Sequence, residues 1–151
     1  MYANPYIAIS AANAGVIKLG KSGNLIVLTG NAGNDTLVKK SLEVTISVGQ
    51  NVRITSVSKV KGSNYAGWEV KRLGAGAGNT IQLINTRKFE QFDLSQIILN
   101  VKSVKSGGPS IVTANVTFVL GPNPDLGGGQ AASQGDMSPD DNNSTSSFTV
   151  K

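Results

Sequence analysis

The chain has no cysteine and no histidine in its 151 residues, and only 5% of them are aromatic. Without either residue there is no zinc site of the usual kind, no thiol nucleophile and no imidazole base, which closes most hydrolase mechanisms. No disulfide can form, so the core alone must hold the fold, and the redox compartment is left open. No run approaches the roughly 18 apolar residues of a membrane span, so membrane insertion is not expected. Nowhere do apolar residues recur at three-and-four spacing for three turns, so almost no helix is expected. Met1–Gly15 lacks the basic start and apolar run of a signal peptide. The chain therefore reads either as an excised part of a secreted protein or as a whole protein using another route, as a virion protein would.

What is present is a globular composition, 39% hydrophobic and 15% charged, with 18 glycines. The net charge is +5 and unevenly spread: residues 1–120 carry a net +8 and residues 121–151 a net −3. A basic body with an acidic tail suits an anionic partner or head-to-tail self-association, and equally a plain solvated surface.

The dominant pattern has period two. Leu42, Val44, Ile46 and Val48 alternate with Glu43, Thr45 and Ser47; Val52 and Ile54 alternate with Arg53 and Thr55. Ile97, Leu99 and Val101 repeat the pattern, as do Val112, Ala114, Val116, Phe118 and Leu120. Side chains of a strand alternate between its faces, so each run has one buried side. Shorter candidates are Tyr6–Ser10, Val16–Leu19, Asn24–Thr29, Trp68–Arg72, Thr80–Asn85 and Ser146–Val150. Turn chemistry separates them at Gly20–Gly23, Gly30–Asp35, Gly62–Asn64, Gly74–Asn79 and Ser106–Pro109. The expected fold is all-β, an Ig-like antiparallel β-sandwich of seven to nine strands. The whole of 1–151 reads as one domain with a long loop at about 121–139. Its predicted core holds Leu42, Val44, Ile46, Trp68, Leu99, Val101, Val116 and Phe118.

The order of these features resembles the prokaryotic conserved-repeat Ig-like domain of large bacterial cell-surface proteins. In that family a strand ends at an Asn-x-Gly turn, a Trp opens a middle strand, and an Asp/Pro/Asn-Asn turn precedes the last strand. Asn31-Ala-Gly33, Trp68 and Pro139-Asp-Asp-Asn-Asn143 stand in those places. The Asp–Asp before the Asn pair and the long glycine loop depart from the pattern. The resemblance implies a non-enzymatic structural or interaction module at the cell surface, with no catalytic residues to transfer. Some surface Ig-like domains also carry an internal Lys–Asn isopeptide bond; Lys18 or Lys21 with Asn115 and Glu43 would supply its parts.

Several motifs have a plain and a functional reading. Gly74–Asn79 precedes a strand rather than a helix, so it reads as a hairpin loop and not a phosphate cradle. Asp136, Asp140 and Asp141, with the adjoining Asn pair, form the only oxygen-rich cluster. It is either a polar Asx turn or a calcium site, calcium being the one cofactor the sequence leaves open. Trp68 is a core residue or a glycan-stacking platform. Tyr2 and Tyr6, flanking Pro5, and Asp125 in the long loop are candidate interface residues. Lys59, Lys61, Lys71, Arg72, Arg87 and Lys88 could line one basic surface. Without aromatic interleaving or a groove-reading helix, they do not suggest nucleic acid. The function expected is a unit of a bacterial surface assembly, such as an adhesin, stalk or filament, self-associating or packed on neighbouring domains. A capsid-decoration or head-fibre protein of a virion is the alternative, and a carbohydrate-binding module a further one.

Overall fold

A computed structural model describes residues 5–33, 36–58, 67–73, 80–118 and 142–151. All ten runs read from the sequence are strands: β1 Pro5–Ala11, β2 Val16–Ile17, β3 Ser22–Asn31, β4 Leu42–Ser47, β5 Val52–Ser58, β6 Trp68–Leu73, β7 Thr80–Asn85, β8 Leu94–Ser103, β9 Gly107–Phe118 and β10 Asn143–Val150. The total exceeds the expected seven to nine, because β2 forms a separate two-residue strand.

Two sheets face each other, a four-stranded one in the order β1-β3-β8-β5 and a six-stranded one in the order β2-β10-β9-β4-β7-β6. Pairing is antiparallel except between β2 and β10, which run parallel. The period-two pattern sets the register. Val44 lies between Leu83 and Val116, and Ile46 between Ile81 and Ala114. On the other sheet Leu99 pairs with Leu25 and Val57. These inward rows form one core, and Leu42, Val44, Ile46, Trp68, Leu99, Val101 and Val116 are all buried in it as expected. Phe148, Phe89 and Leu37 add to it from β10 and from two loops. The side chain of Phe118 lies outside the described residues.

Three local features departed from the sequence reading. Ser106–Pro109 was expected to be a turn, but β9 already begins at Gly107. Gly107 and Gly108 have φ of 133° and 115°, where β10 shifts register between Phe148 and Val150. The chain crosses between the sheets at 104–106, and the glycines that follow serve the register shift against β10. The link from β1 to β2 is a tight turn at Ala12–Gly15; a Cβ on Gly15, at φ +76°, would stand 2.2 Å from the Ser147 carbonyl oxygen. Third, the outer edge of β1 does not face water unpaired. The Ile9 and Ala11 N–H groups donate to the Ser144 and Ser146 hydroxyls of β10, at 3.1 and 3.2 Å. Two serines that alternation alone would call polar filler close one side of the sandwich and block strand addition there.

Leu99 is fully buried and Thr113 is exposed on the outer face of β9. Leu99→Ala is expected to lower unfolding free energy by about 2–5 kcal/mol through lost transfer energy and a cavity. Thr113→Ala should stay within about 0.5 kcal/mol. Urea unfolding of the two variants measures both, and equal losses would contradict the register.

Candidate interaction site

The two ends of the sandwich are built by different side chains. At the end where β3 finishes, buried asparagines tie the connecting segments down. Asn85, fully buried, accepts from the Leu42 N–H at 2.8 Å through Oδ1; its Nδ2 donates to the Val38 and Arg87 carbonyls, each at 2.8 Å. Asn31, also fully buried, donates from Nδ2 to the Phe89 carbonyl at 3.2 Å and accepts from the Gly33 N–H at 3.0 Å. That second bond makes the Asn-x-Gly turn expected at Asn31–Gly33 an Asx turn. Between these latches Leu37 and Phe89 exchange both backbone bonds, at 2.8 and 2.7 Å.

Phe89 is thereby seated under two partners. The Trp68 ring lies 5.6 Å from it at 46°, and the Arg87 guanidinium carbon lies 4.4 Å from its centroid. Trp68 is 5% exposed and donates from Nε1 to Ser95 Oγ at 2.8 Å. It is the core residue of its plain reading, and no stacking platform for a glycan remains there.

Beyond Phe89 the chain makes a turn that presents an apolar side chain to water. Phe92 is 77% exposed at φ +67°, a left-handed conformation uncommon for a bulky residue. The turn is fixed on all sides. Asp93 N–H donates to the Glu90 carbonyl at 3.0 Å, Phe92 N–H to the Asn31 carbonyl at 2.7 Å, and Glu90 N–H to Asp93 Oδ2 at 2.8 Å. Leu94, also exposed, follows it.

At the other end, Ser103 and Asn51 hold the turns. Ser103 Oγ donates to the Lys18 carbonyl at 2.9 Å and accepts from the Lys21 N–H at 3.2 Å. Asn51 Nδ2 donates to the Phe148 carbonyl at 2.8 Å and to the Gly107 carbonyl at 3.2 Å. The Val104 N–H donates to the Asn51 carbonyl at 2.9 Å. On this frame Lys18, Lys21, Arg53, Lys102 and Lys105 are all exposed. Sequence reasoning missed this cluster, whose members come from separate connections and strand ends and share no local motif.

Of the candidate interface residues, Tyr6 is described. It pairs across the strands with Gly30, and a Cβ on that glycine would stand 2.7 Å from the Tyr6 hydroxyl oxygen. Its half-buried ring therefore covers the glycine, and burial pushes its phenol above the ordinary range. Tyr2, Asp125, Asp136, Asp140 and Asp141 lie outside the described residues. Among the described residues no three His, Cys, Asp or Glu side chains gather where a metal could sit. The described members of the basic set that could have lined one surface are divided among local partners. Lys71 pairs with Glu43 at 2.7 Å, Lys88 with Glu90 at 3.0 Å, and Arg87 stands 3.7 Å from Asp93. Lys59, Lys61 and the Arg72 side chain are outside the described residues. The isopeptide parts are not assembled either, since Glu43 takes Lys71 while Lys18 and Lys21 are held at the Ser103 end.

Similarity to solved structures is broad in coverage and low in identity. A cohesin module from a family 33 glycoside hydrolase of Clostridium perfringens superposes with a TM-score of 0.59 at 14% identity, over 99% of this chain and 97% of that one. A non-cellulosomal cohesin from the archaeon Archaeoglobus fulgidus gives a TM-score of 0.52 at 12% identity, over 98% and 91%. BcpA, the major pilin subunit of Bacillus cereus, gives 0.51 at 19% identity over 77% of this chain and 35% of the pilin. No protein-family model and no curated protein matches the sequence. At these identities the likeness establishes the fold: an Ig-like sandwich of the kind found in cohesin and pilin modules. No described helix is long and apolar enough to cross a membrane.

The Phe92 turn makes an unusual prediction. Removing a large apolar side chain normally destabilises, but Phe92 is mostly in water and carries a positive φ. Phe92→Gly is expected to leave the thermal midpoint unchanged or raise it, because the steric strain relieved at positive φ offsets glycine's greater freedom in the unfolded chain. A clear fall in the midpoint would show that the ring packs on the protein.

Proposed function

We propose that the chain is a non-catalytic structural and interaction module of a bacterial surface assembly, a repeat of an adhesin, stalk or filament of the conserved-repeat Ig-like type. The observation that carries this reading is where its buried polarity goes. The buried polar side chains among the described residues are Thr29, Asn31, Ser41, Asn51, Asn85, Ser95 and Ser103, and none of them is ionisable. Thr29 donates to the Tyr6 carbonyl, Ser41 to the Val38 carbonyl and Ser103 to the Lys18 carbonyl. Ser95 accepts from Trp68, and the three asparagines fasten loops. Active sites instead desolvate titratable groups beside one another to shift their pKa values. Buried polarity here serves construction, and the charged side chains are left at the surface. The likeness in fold to a cohesin module and to a major pilin subunit supports the same reading, a module and a subunit each being part of something larger. Calcium through Asp136, Asp140 and Asp141 is the one cofactor this reading leaves open.

Immunogold labelling with an antibody to the recombinant chain tests this function. Intact source cells should label without permeabilisation. Signal only after permeabilisation would overturn the surface reading, and label confined to purified virions would move the module to a phage particle.

A further inference from the structure

The end held by Ser103 and Asn51 gathers cationic side chains with no described acidic side chain beside them. Lys18, Lys21, Arg53, Lys102 and Lys105 are exposed there and make no ion pair with any described residue. They are close together by construction. Lys102 pairs across the sheet with Ser22 on one side and with Arg53 on the other. Lys18 and Lys21 are tied to Ser103, while the Lys105 N–H reaches the Asn51 carbonyl at 3.4 Å. The described acidic side chains cannot neutralise them. Glu43, Glu69, Glu90 and Asp93 stand toward the other end, and each already has a cation of its own. Nothing aromatic is exposed among these cations, so the end offers charge without stacking.

The complementary charge is in the same chain. Residues 119–141 contain four aspartates and no lysine or arginine. The strands that flank this segment meet it at Phe118 and Asn143, and these lie far from the cationic end: Phe118 pairs with Leu42, and Asn143 with Asn115. β9 runs from Gly107 at the cationic end to Phe118 over 12 residues, roughly 36 Å at 3.3 Å per residue. To reach the cationic end of its own sandwich and return, the segment would need almost its full extended length of about 3.3 Å per residue. Such stretching costs conformational entropy. A second copy stacked end to end meets the segment without that cost.

We infer that the cationic end formed by Lys18, Lys21, Arg53, Lys102 and Lys105 docks the acidic segment 119–141 of a second copy, joining copies head to tail. This rests on the surface-module reading and deepens it by naming the partner. The contact is heterologous, since the two surfaces differ, and repetition gives an open rod or filament rather than a closed dimer. The asparagine and serine staples matter here, because they hold the cations on fixed turns and reduce the ordering needed at contact.

A charge-swap experiment on the full chain tests the inference. Sedimentation velocity should show concentration-dependent association of the wild type at low ionic strength. It should vanish near 1 M salt, where the screening length is about 3 Å. One variant carries Lys18→Glu, Lys21→Glu, Lys102→Glu and Lys105→Glu. The other carries Asp125→Lys, Asp136→Lys, Asp140→Lys and Asp141→Lys. Each alone should associate about a hundredfold more weakly, because like charges now meet. Mixing the two should restore assembly, which a folding defect could not do. Wild-type association unchanged by the lysine reversals would overturn the docking site and leave surface labelling, and so the module reading, untouched. A strictly monomeric wild type would overturn it too. If that monomer binds a DNA oligonucleotide or polyglutamate through the same lysines, the partner is a foreign polyanion and not a second copy.

Discussion

A sandwich of two sheets buries its apolar faces easily; the difficulty lies at its ends, where irregular backbone crosses from one sheet to the other. A buried N–H or C=O left without a partner there costs about 1–3 kcal/mol. In this chain neutral amide side chains meet that demand, Asn85 above all. It bonds the Leu42 N–H and the Val38 and Arg87 carbonyls, and Ser41 adds a second bond to the Val38 carbonyl. The consequences run outward from it. With Val38 and Arg87 fixed, Leu37 and Phe89 pair; with Phe89 fixed, Trp68 and Arg87 have a surface to pack on. Asn31 then anchors the Phe92 turn. One amide thus sets the geometry of an entire end.

The same economy operates at the opposite end through Asn51 and Ser103, with a different result at the surface. Neutral groups below the surface hold the turns, so the side chains above can be chosen freely. One end carries cations, and the other an exposed phenylalanine and paired charges. The long sides are treated otherwise: β1 is capped by serine hydroxyls, which discourages lateral strand addition. A module whose ends are chemically distinct and whose first edge is closed is suited to contacts along its axis.

Much of this fold is legible in the sequence, and the reason is physical. Each strand has one wet side, so period two appears plainly: Thr80–Asn85 has the same bounds in sequence and structure, and Leu42–Val48 differs by one residue. The stretches 36–41 and 86–93 were not legible, because Leu37 and Phe89 stand in polar segments with no period-two alternation around them. Their burial depends on bonds from Asn31 and Asn85, residues whose type suggests exposed turns. Gly107 and Gly108 misled for a related reason, since glycine marks positive φ whether the chain reverses or only bulges. The cationic end was hidden because spacing along the chain carries no information about which turns share an end. Charges adjacent in sequence, such as Arg87 and Lys88, instead took separate partners.

Polar staples are expected to make both ends as rigid as the sheets between them, so that each presents a fixed surface. Native-state hydrogen exchange tests it most directly. The Leu37, Leu42 and Phe89 amides at one end, and the Lys21, Ser103 and Val104 amides at the other, all donate to described acceptors. Their expected protection approaches that of Val44 and Leu99 in the sheets, consistent with exchange through global unfolding. Exchange of these end amides at the rate of fraying loops, while the sheets remain protected, would contradict it.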